Sequence, residues 1–414
     1  TESCCGFLCL PVPAQPPSDP PRLLARVHGA GPSGALAALV LARAGWQVQL
    51  IDPLSPEQLG SRIRAYALTH SSRHLLESLG LWQPLQPALA PFRRLELCDR
   101  AIARQATFTT ADLPRRSGAG AGPDPAVGWI LQHGPLMQVL LDALRLQAGV
   151  SLELGAPPPE EQGSAPRRSE PQPTPHLVVA ADGHHSPTRQ AAGLRWRGFA
   201  YRQGCLTVQV RLRGAAPDQA WELFRPEGPF AVLPLGGDAF QLVWSAPLQR
   251  LRQLERLDGA TFLDALSAAL PEHLQAEVLL DQPRAFPVGL ELAWPLHRRN
   301  VLLLGEAAHR CHPVGGQGLN LCWRDVAALA PLAQACGAGR LKPSALPRRY
   351  ARRRWLDLLL VLSATDALVR LFSNRWPPLL ALRHLVLILL SRLPRLRRLS
   401  LALMTDGPCC RSSA

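Results

Sequence analysis

The segment Arg26-Val-His28-Gly29-Ala-Gly31-Pro-Ser-Gly34-Ala-Leu-Ala-Ala-Leu-Val-Leu-Ala-Arg-Ala-Gly45-Trp-Gln-Val48-Gln-Leu50-Ile51-Asp52 decides the fold. It predicts a short strand, a turn with the spacing Gly-x-Gly-x-x-Gly, a helix of small residues, a second strand and an acid at that strand's end. In a dinucleotide fingerprint Gly29 allows the tight turn, Gly31 lets backbone approach a pyrophosphate, and Gly34 lets the helix pack close to the strand. Asp52 stands where it would accept from a ribose hydroxyl. The glycine spacing alone is weak evidence. The flanking strand and helix, with the acid at the right distance, make it specific.

Far downstream, Val301-Leu-Leu-Leu-Gly305-Glu306-Ala-Ala-His309-Arg-Cys-His312-Pro313-Val-Gly315-Gly316-Gln317-Gly318-Leu319-Asn320 reads as a buried strand that ends in a glycine and an acid. The chain then turns through Pro313 and enters a helix through small positions. A helix start of this kind presents unpaired N–H groups and the positive end of the helix dipole, so an electron-rich ligand is expected there. Between these two motifs, the strand Leu177-Val-Val-Ala-Ala181 runs into Asp182-Gly183. That pair reads either as a plain turn or as a second place where carboxylate and backbone meet a polar ligand. His309 and His312 lack a carboxylate partner in pattern, so they are expected to be loop histidines near the ligand and not metal ligands.

With 414 residues, 47% of them hydrophobic, the chain has ample length for a buried core in one discontinuous or two domains. Ten cysteines form no Cys-x-x-Cys pair, and no secretory signal precedes the first strand, so a reducing cytosolic compartment is expected. The formal charge of +14 is concentrated: twelve arginines between Arg348 and Arg398 face only Asp357 and Asp366. No helix-turn-helix or RNA-binding aromatic motif accompanies that charge, which excludes a nucleic-acid reading. The basic segment is interleaved with leucine, and its longest uncharged run is too short to span a bilayer. Peripheral attachment to an anionic membrane surface is one reading. A helical layer packed on the body with its arginines in water is the other, and the two are compatible.

The order of signals predicts a Pro-rich tail over 1–22 and a discontinuous nucleotide-binding domain over 23–90, 127–200 and 285–340. A β-sheet lobe is expected from 91–126 and 201–284, a basic apolar helical region over 341–404, and a tail over 405–414. The run from Trp129 to Leu146 predicts helix, and that from Leu251 to Leu280 predicts mainly helix. Residues 204–245 alternate as an antiparallel sheet. Low-complexity stretches are expected at 115–124 and 156–175.

In order, the three motifs resemble the single-component flavoprotein aromatic hydroxylases, the p-hydroxybenzoate hydroxylase-like group. Within it, the chain is most similar to the ubiquinone-biosynthesis (UbiH-like) hydroxylases. Arg64-Ala-Tyr-Ala-Leu68, Gly228-Pro-Phe-Ala-Val-Leu-Pro-Leu235, Gly316-Gln-Gly-Leu-Asn-Leu321 with Arg324-Asp325, and Ala364-Thr-Asp-Ala-Leu368 carry that likeness. It implies an α/β fold: a Rossmann-like FAD-binding domain of p-hydroxybenzoate hydroxylase type, with an inserted β-sheet substrate domain and C-terminal helices.

The resemblance further implies that Gly29, Gly31 and Gly34 hold the FAD pyrophosphate and Asp52 the adenosine ribose. Arg64 would meet the phosphates or ribityl region, and Gln132 or its neighbour His133 the ribityl chain. Asp182 and Gly183 would lie near the pyrophosphate and the path of a pyridine nucleotide. Gly305 and Glu306 would meet the ribityl hydroxyls and pyrophosphate. Beyond Pro313, the residues Gly316, Gly318, Leu319 and Asn320 would face the pyrimidine edge of the flavin. The family usually carries aspartate where Glu306 stands, and the extra methylene is expected to move the carboxylate.

The activity implied is hydroxylation of an aromatic ring, a prenylated phenol of ubiquinone or plastoquinone assembly, through a flavin C4a-hydroperoxide. With a single dinucleotide fingerprint, an external reductant is expected, either transient NAD(P)H or another redox protein. The same features also admit a hydroxylase of a soluble phenol, or a non-catalytic FAD-binding member of a quinone-biosynthesis complex.

Overall fold

The computed structural model describes residues 23–113, 125–155 and 173–407. The tail at 1–22 and the connection at 115–124 lie outside the described residues, as do most of 156–175 and the end of the 405–414 tail.

Five parallel strands form the first sheet, in the spatial order Val301–Leu303, Leu177–Ala180, Leu24–His28, Gln47–Asp52 and Val150–Leu154, with the antiparallel pair His297–Arg298 at one edge. The fingerprint helix Pro32–Arg43 is buried continuously from Gly34 to Ala42. Its run of Ala and Leu leaves no polar face, because the sheet covers one side and the long helix Gln317–Gly337 covers the other. Trp46 fastens these layers by donating its indole N–H to the Ala333 carbonyl at 3.1 Å.

A nine-stranded, mainly antiparallel sheet forms the second body, built around the long strand Trp196–Arg213. Alternation along it sends Leu206, Val208, Val210 and Leu212 into a core with Phe262 and Leu266 of the helix Gly259–Ser267. The segment read as mainly helical differs here: after two short helices the chain forms the strand Gln275–Leu279, which pairs with Trp196–Arg213. The start of the Trp129–Leu146 run also differs. Gly128–Gln132 is the middle strand of a small third sheet, between Ala65–Leu68 and Leu89–Phe92, and helix begins only at His133.

Three helices, Leu346–Phe372, Pro377–Arg392 and Pro394–Asp406, close the molecule. Two buried or partly buried ion pairs tie them to the second body: Arg383 with Asp99 at 3.4 Å and Arg397 with Asp112 at 2.8 Å.

Candidate cofactor and active site

Ligands of open parallel sheets bind beyond the carboxyl ends of the strands. Four motifs converge there. Gly29 follows Leu24–His28, Asp52 ends Gln47–Asp52, Asp182 follows Leu177–Ala180, and Gly305 follows Val301–Leu303. These four strands are neighbours, so residues distant in the chain share one rim.

The three fingerprint glycines differ physically. A Cβ on Gly29 would lie 2.3 Å from the Ala181 carbonyl oxygen, and one on Gly34 would lie 1.8 Å from that of Gly29. Gly31 is different: a Cβ there meets nothing within 4 Å. Two glycines therefore permit close backbone packing, and the middle one fronts open space. Asp52 holds the turn, accepting from Ala30 N–H at 2.7 Å and Leu54 N–H at 2.9 Å, with lone pairs left over for a further donor.

Asp182 accepts from Thr188 N–H through Oδ2 at 3.0 Å, while its buried Oδ1 has no partner in the protein. An acceptor left over at this rim suits a ligand hydroxyl or N–H. Gly183 is left-handed, with φ +83°. Arg189, buried beside this turn, donates to the carbonyls of His184 and Ala307, at 2.9 and 3.2 Å, and so ties it to the Gly305 loop.

At the Gly305 loop, Asp325 accepts from Gly305 N–H at 2.9 Å and pairs with His309 at 2.7 Å. Arg354 donates to the other oxygen of Asp325 at 2.7 Å and pairs with Asp357, which also accepts from Arg324 at 2.8 Å. Burial pushes the Asp325 carboxyl up, and the charges of His309 and Arg354 overcome it, so its pKa lies below the ordinary value. This network was not assigned from sequence. Its signal was the pair Arg324-Asp325 inside an otherwise apolar helix. Glu306 is exposed, and its charge is felt at Tyr66, Cys311 and Cys322 around the rim.

Gly315 and Gly316 are both left-handed, with φ +66° and +63°, and the helix Gln317–Gly337 starts directly after them. Its first-turn N–H groups, at Gln317, Gly318 and Leu319, have no carbonyl four residues back in the helix. Pro313 precedes the turn, and no Cβ contact limits the space at Gly318.

The Asn320 side chain is directed inward. Its amide nitrogen donates to the carbonyls of Ala67 and Gly316, and its oxygen accepts from Thr69 and Ser72. It stitches the loop and leaves the edge facing a ligand to backbone. His133 is likewise occupied, with one ring nitrogen on Tyr66 Oη at 2.8 Å and the other on the Leu59 carbonyl at 2.7 Å. Of that pair, only Gln132 is exposed; it lines a cavity of about 530 Å³ with Leu89, Arg93 and Leu235. Arg64 is also exposed, just before the strand Ala65–Leu68, and interacts with Tyr66.

An open space at Gly31, an unpaired acceptor at Asp182 and a left-handed glycine turn on a 21-residue helix together fit a dinucleotide carrying an electron-rich ring system.

Comparison with known proteins agrees. A family model described as FAD binding domain matches residues 25–113 and 158–354. An uncharacterised protein of Synechocystis is 32% identical over 390 residues, with 92% of each chain covered. The 3-demethoxyubiquinol 3-hydroxylase of Escherichia coli is 32% identical over 401 residues, covering 91% of this chain and 96% of the enzyme. The crystal structure of p-nitrophenol 4-monooxygenase from Pseudomonas putida shares the fold, with a TM-score of 0.71 at 18% identity over 92% of this chain and 96% of that one. The chain belongs to the FAD-dependent aromatic monooxygenases of the FAD binding domain family, alongside the ubiquinone hydroxylases.

Proposed function

We propose that this monooxygenase hydroxylates the ring of a prenylated phenol in quinone assembly, ubiquinone or plastoquinone. The observation that carries the reading is the near full-length similarity to a demethoxyubiquinol hydroxylase, together with a rim whose four strand-end motifs suit FAD. Gly29, Gly31 and Gly34 would hold the pyrophosphate, and Asp52 the adenosine ribose. Arg64 and Gln132 would meet the ribityl and phosphate groups, near Asp182 and Gly183. Gly305 and Glu306 would meet the ribityl hydroxyls, and Gly316, with the N–H groups of Gln317, Gly318 and Leu319, would face the pyrimidine edge.

FAD, when bound and reduced, supplies the activation of dioxygen and the transfer of one oxygen atom. What the protein does is more limited. With FAD bound, the helix-start N–H groups of Gln317, Gly318 and Leu319 would stabilise negative charge at the pyrimidine edge, where preorganised donors act most strongly once water is excluded. Asp325, Arg354 and Arg189 hold the loops that carry those donors. NAD(P)H serves as the external reductant.

The test is purification with FAD, an absorbance spectrum, and aerobic assay of a 2-prenylphenol with NAD(P)H. A bound flavin and a product heavier by one oxygen are expected. Bound flavin with no turnover of any prenylphenol would favour the non-catalytic member of a quinone-assembly complex, a reading motivated by Glu306 in place of the usual aspartate. Turnover of soluble phenols alone would favour the other hydroxylase reading.

A further inference from the structure

The strand Gln219–Phe224 has two faces. Trp221 and Leu223 enter the core beneath the nine-stranded sheet. Ala220, Glu222 and Phe224 therefore point the other way, toward the nucleotide-binding body; Ala220 packs among Phe92 and Leu387, and Phe224 against Val314 and Phe372. Glu222 sits between these apolar neighbours. Strand register places Leu97, Glu222, Ala231, Val243 and Thr207 in one row across the sheet. All of these but Glu222 are half-buried, so the row is a partly covered floor. Above it, the backbone N–H of Gly315 in the glycine turn faces the Glu222 carboxylate and holds its pKa down, and a Cβ on Gly315 would meet nothing within 4 Å.

A carboxylate on an apolar floor is costly unless paired, and such groups concentrate at functional sites. Burial raises Glu222 to about 7; the Gly315 N–H partly opposes the rise, and no neighbouring charge contributes. On the same face, Asp99 lies two residues beyond Leu97 on the neighbouring strand and pairs with Arg383, while the Cys205 thiol, three strands away, is pushed up to about 12 by burial, with Glu222 adding to the shift. Cys205 lies against Ser245 at 3.2 Å and stays protonated through the neutral range.

We infer that Glu222 is the acceptor for the ring hydroxyl of the substrate and its general base. This rests on the phenolic substrate proposed above. The hydroxyl O–H bond breaks and a carboxyl O–H bond forms on Glu222. The electron pair remains on the ring oxygen, raising electron density at the ring carbons that receive oxygen. After transfer the proton returns to the ring oxygen of the product, so no net redox change falls on Glu222. A positioned base of this kind contributes about 10²–10⁴-fold, most effectively when it titrates near the working pH.

The experiment compares FAD-loaded full-length wild type, Glu222→Gln and Glu222→Leu, with flavin content as the check on folding. Binding of 2-prenylphenol and of its O-methyl ether is followed through the flavin absorbance. Above pH 7 the wild type should prefer the phenol by roughly tenfold or more, as expected for a hydrogen bond to a charged group. That preference should shrink on acidification through about 7. Glu222→Leu should bring the two affinities within about twofold, and Glu222→Gln should abolish the pH dependence. In turnover, Glu222→Gln should lower kcat by about a hundredfold or more and remove the acid limb of the pH profile.

An unchanged preference in Glu222→Leu, or an acid limb retained in Glu222→Gln, overturns the assignment. Failure of the wild type to turn over any phenol, with the binding preference and its loss both intact, overturns the proposed activity and leaves Glu222 as the hydroxyl acceptor.

Discussion

Gly31 and Gly34 lie three residues apart and should fail differently when mutated. At Gly31 the backbone is extended, with φ −63° and ψ 178°, and the space in front is open. Gly31→Ala should therefore fold with stability within about 1 kcal/mol of wild type, the ordinary range for a helix N-cap change. Its FAD affinity should fall at least tenfold, measured by flavin fluorescence quenching, because the methyl group would occupy the approach proposed for the pyrophosphate. Gly34→Ala should instead lose stability before cofactor is added, since its Cβ would collide with the Gly29 carbonyl.

The sequence motif treats these glycines alike as a spacing; only the surrounding backbone separates them. His312 shows a similar limit. Pattern placed it near the ligand, but its burial against Tyr201, with Nδ1 accepting from Val314 N–H, could not be read from spacing. Burial lowers its pKa to about 4, so the folded protein keeps it neutral while the unfolded chain takes up a proton from 6.5 downward. Stability is thus full above about 6.5 and is lost as pH falls toward 4, by about 3 kcal/mol. Urea unfolding of His312→Gln should show a flatter acid limb.

Among elements, the parallel strands and their glycine loops were legible because apolar runs ended in recognisable turn chemistry. Two strands were not. Gly128–Gln132 is buried at four of its five positions and runs directly into a helix, and Gln275–Leu279 follows two short helices with no hydrophobic alternation of its own. Short segments of that kind carry no distinguishing period, and sheet pairing decides them. The helix Gln317–Gly337 was read for its start, yet much of its role lies one turn further on. Asp325 joins the Gly305 loop to Arg354 of the helix Leu346–Phe372, where both partners are nearly inaccessible to water. Asp325→Ala leaves that guanidinium short of a partner, so a loss of roughly 3–5 kcal/mol is expected in denaturant unfolding. The freed Gly305 N–H should also weaken FAD binding, read by flavin titration of the folded fraction.

On the scale of the whole molecule, the C-terminal helices have two surfaces. Leu358, Leu362, Leu387 and Leu401 are buried, while Trp355, Leu359, Trp376, Leu385, Leu399 and Leu403 are exposed among arginines such as Arg352, Arg375 and Arg398. Among the described residues no helix is long and apolar enough to cross a membrane. This layer should therefore hold the protein to vesicles containing anionic lipid, with binding that weakens as salt is raised. Co-sedimentation with neutral vesicles alone, or with none, would assign the exposed leucines another role. The amide of Asn320 reaches Ala67, Thr69, Ser72 and Gly316, segments that the chain separates widely, and both of its N–H donors are used. That seam ties the loop through the protein's own hydrogen bonds, so cofactor loading is expected to be a docking event and not a folding event. The rate at which apoprotein takes up FAD should then rise linearly with FAD concentration, with no plateau from a slow rearrangement, in a stopped-flow fluorescence experiment.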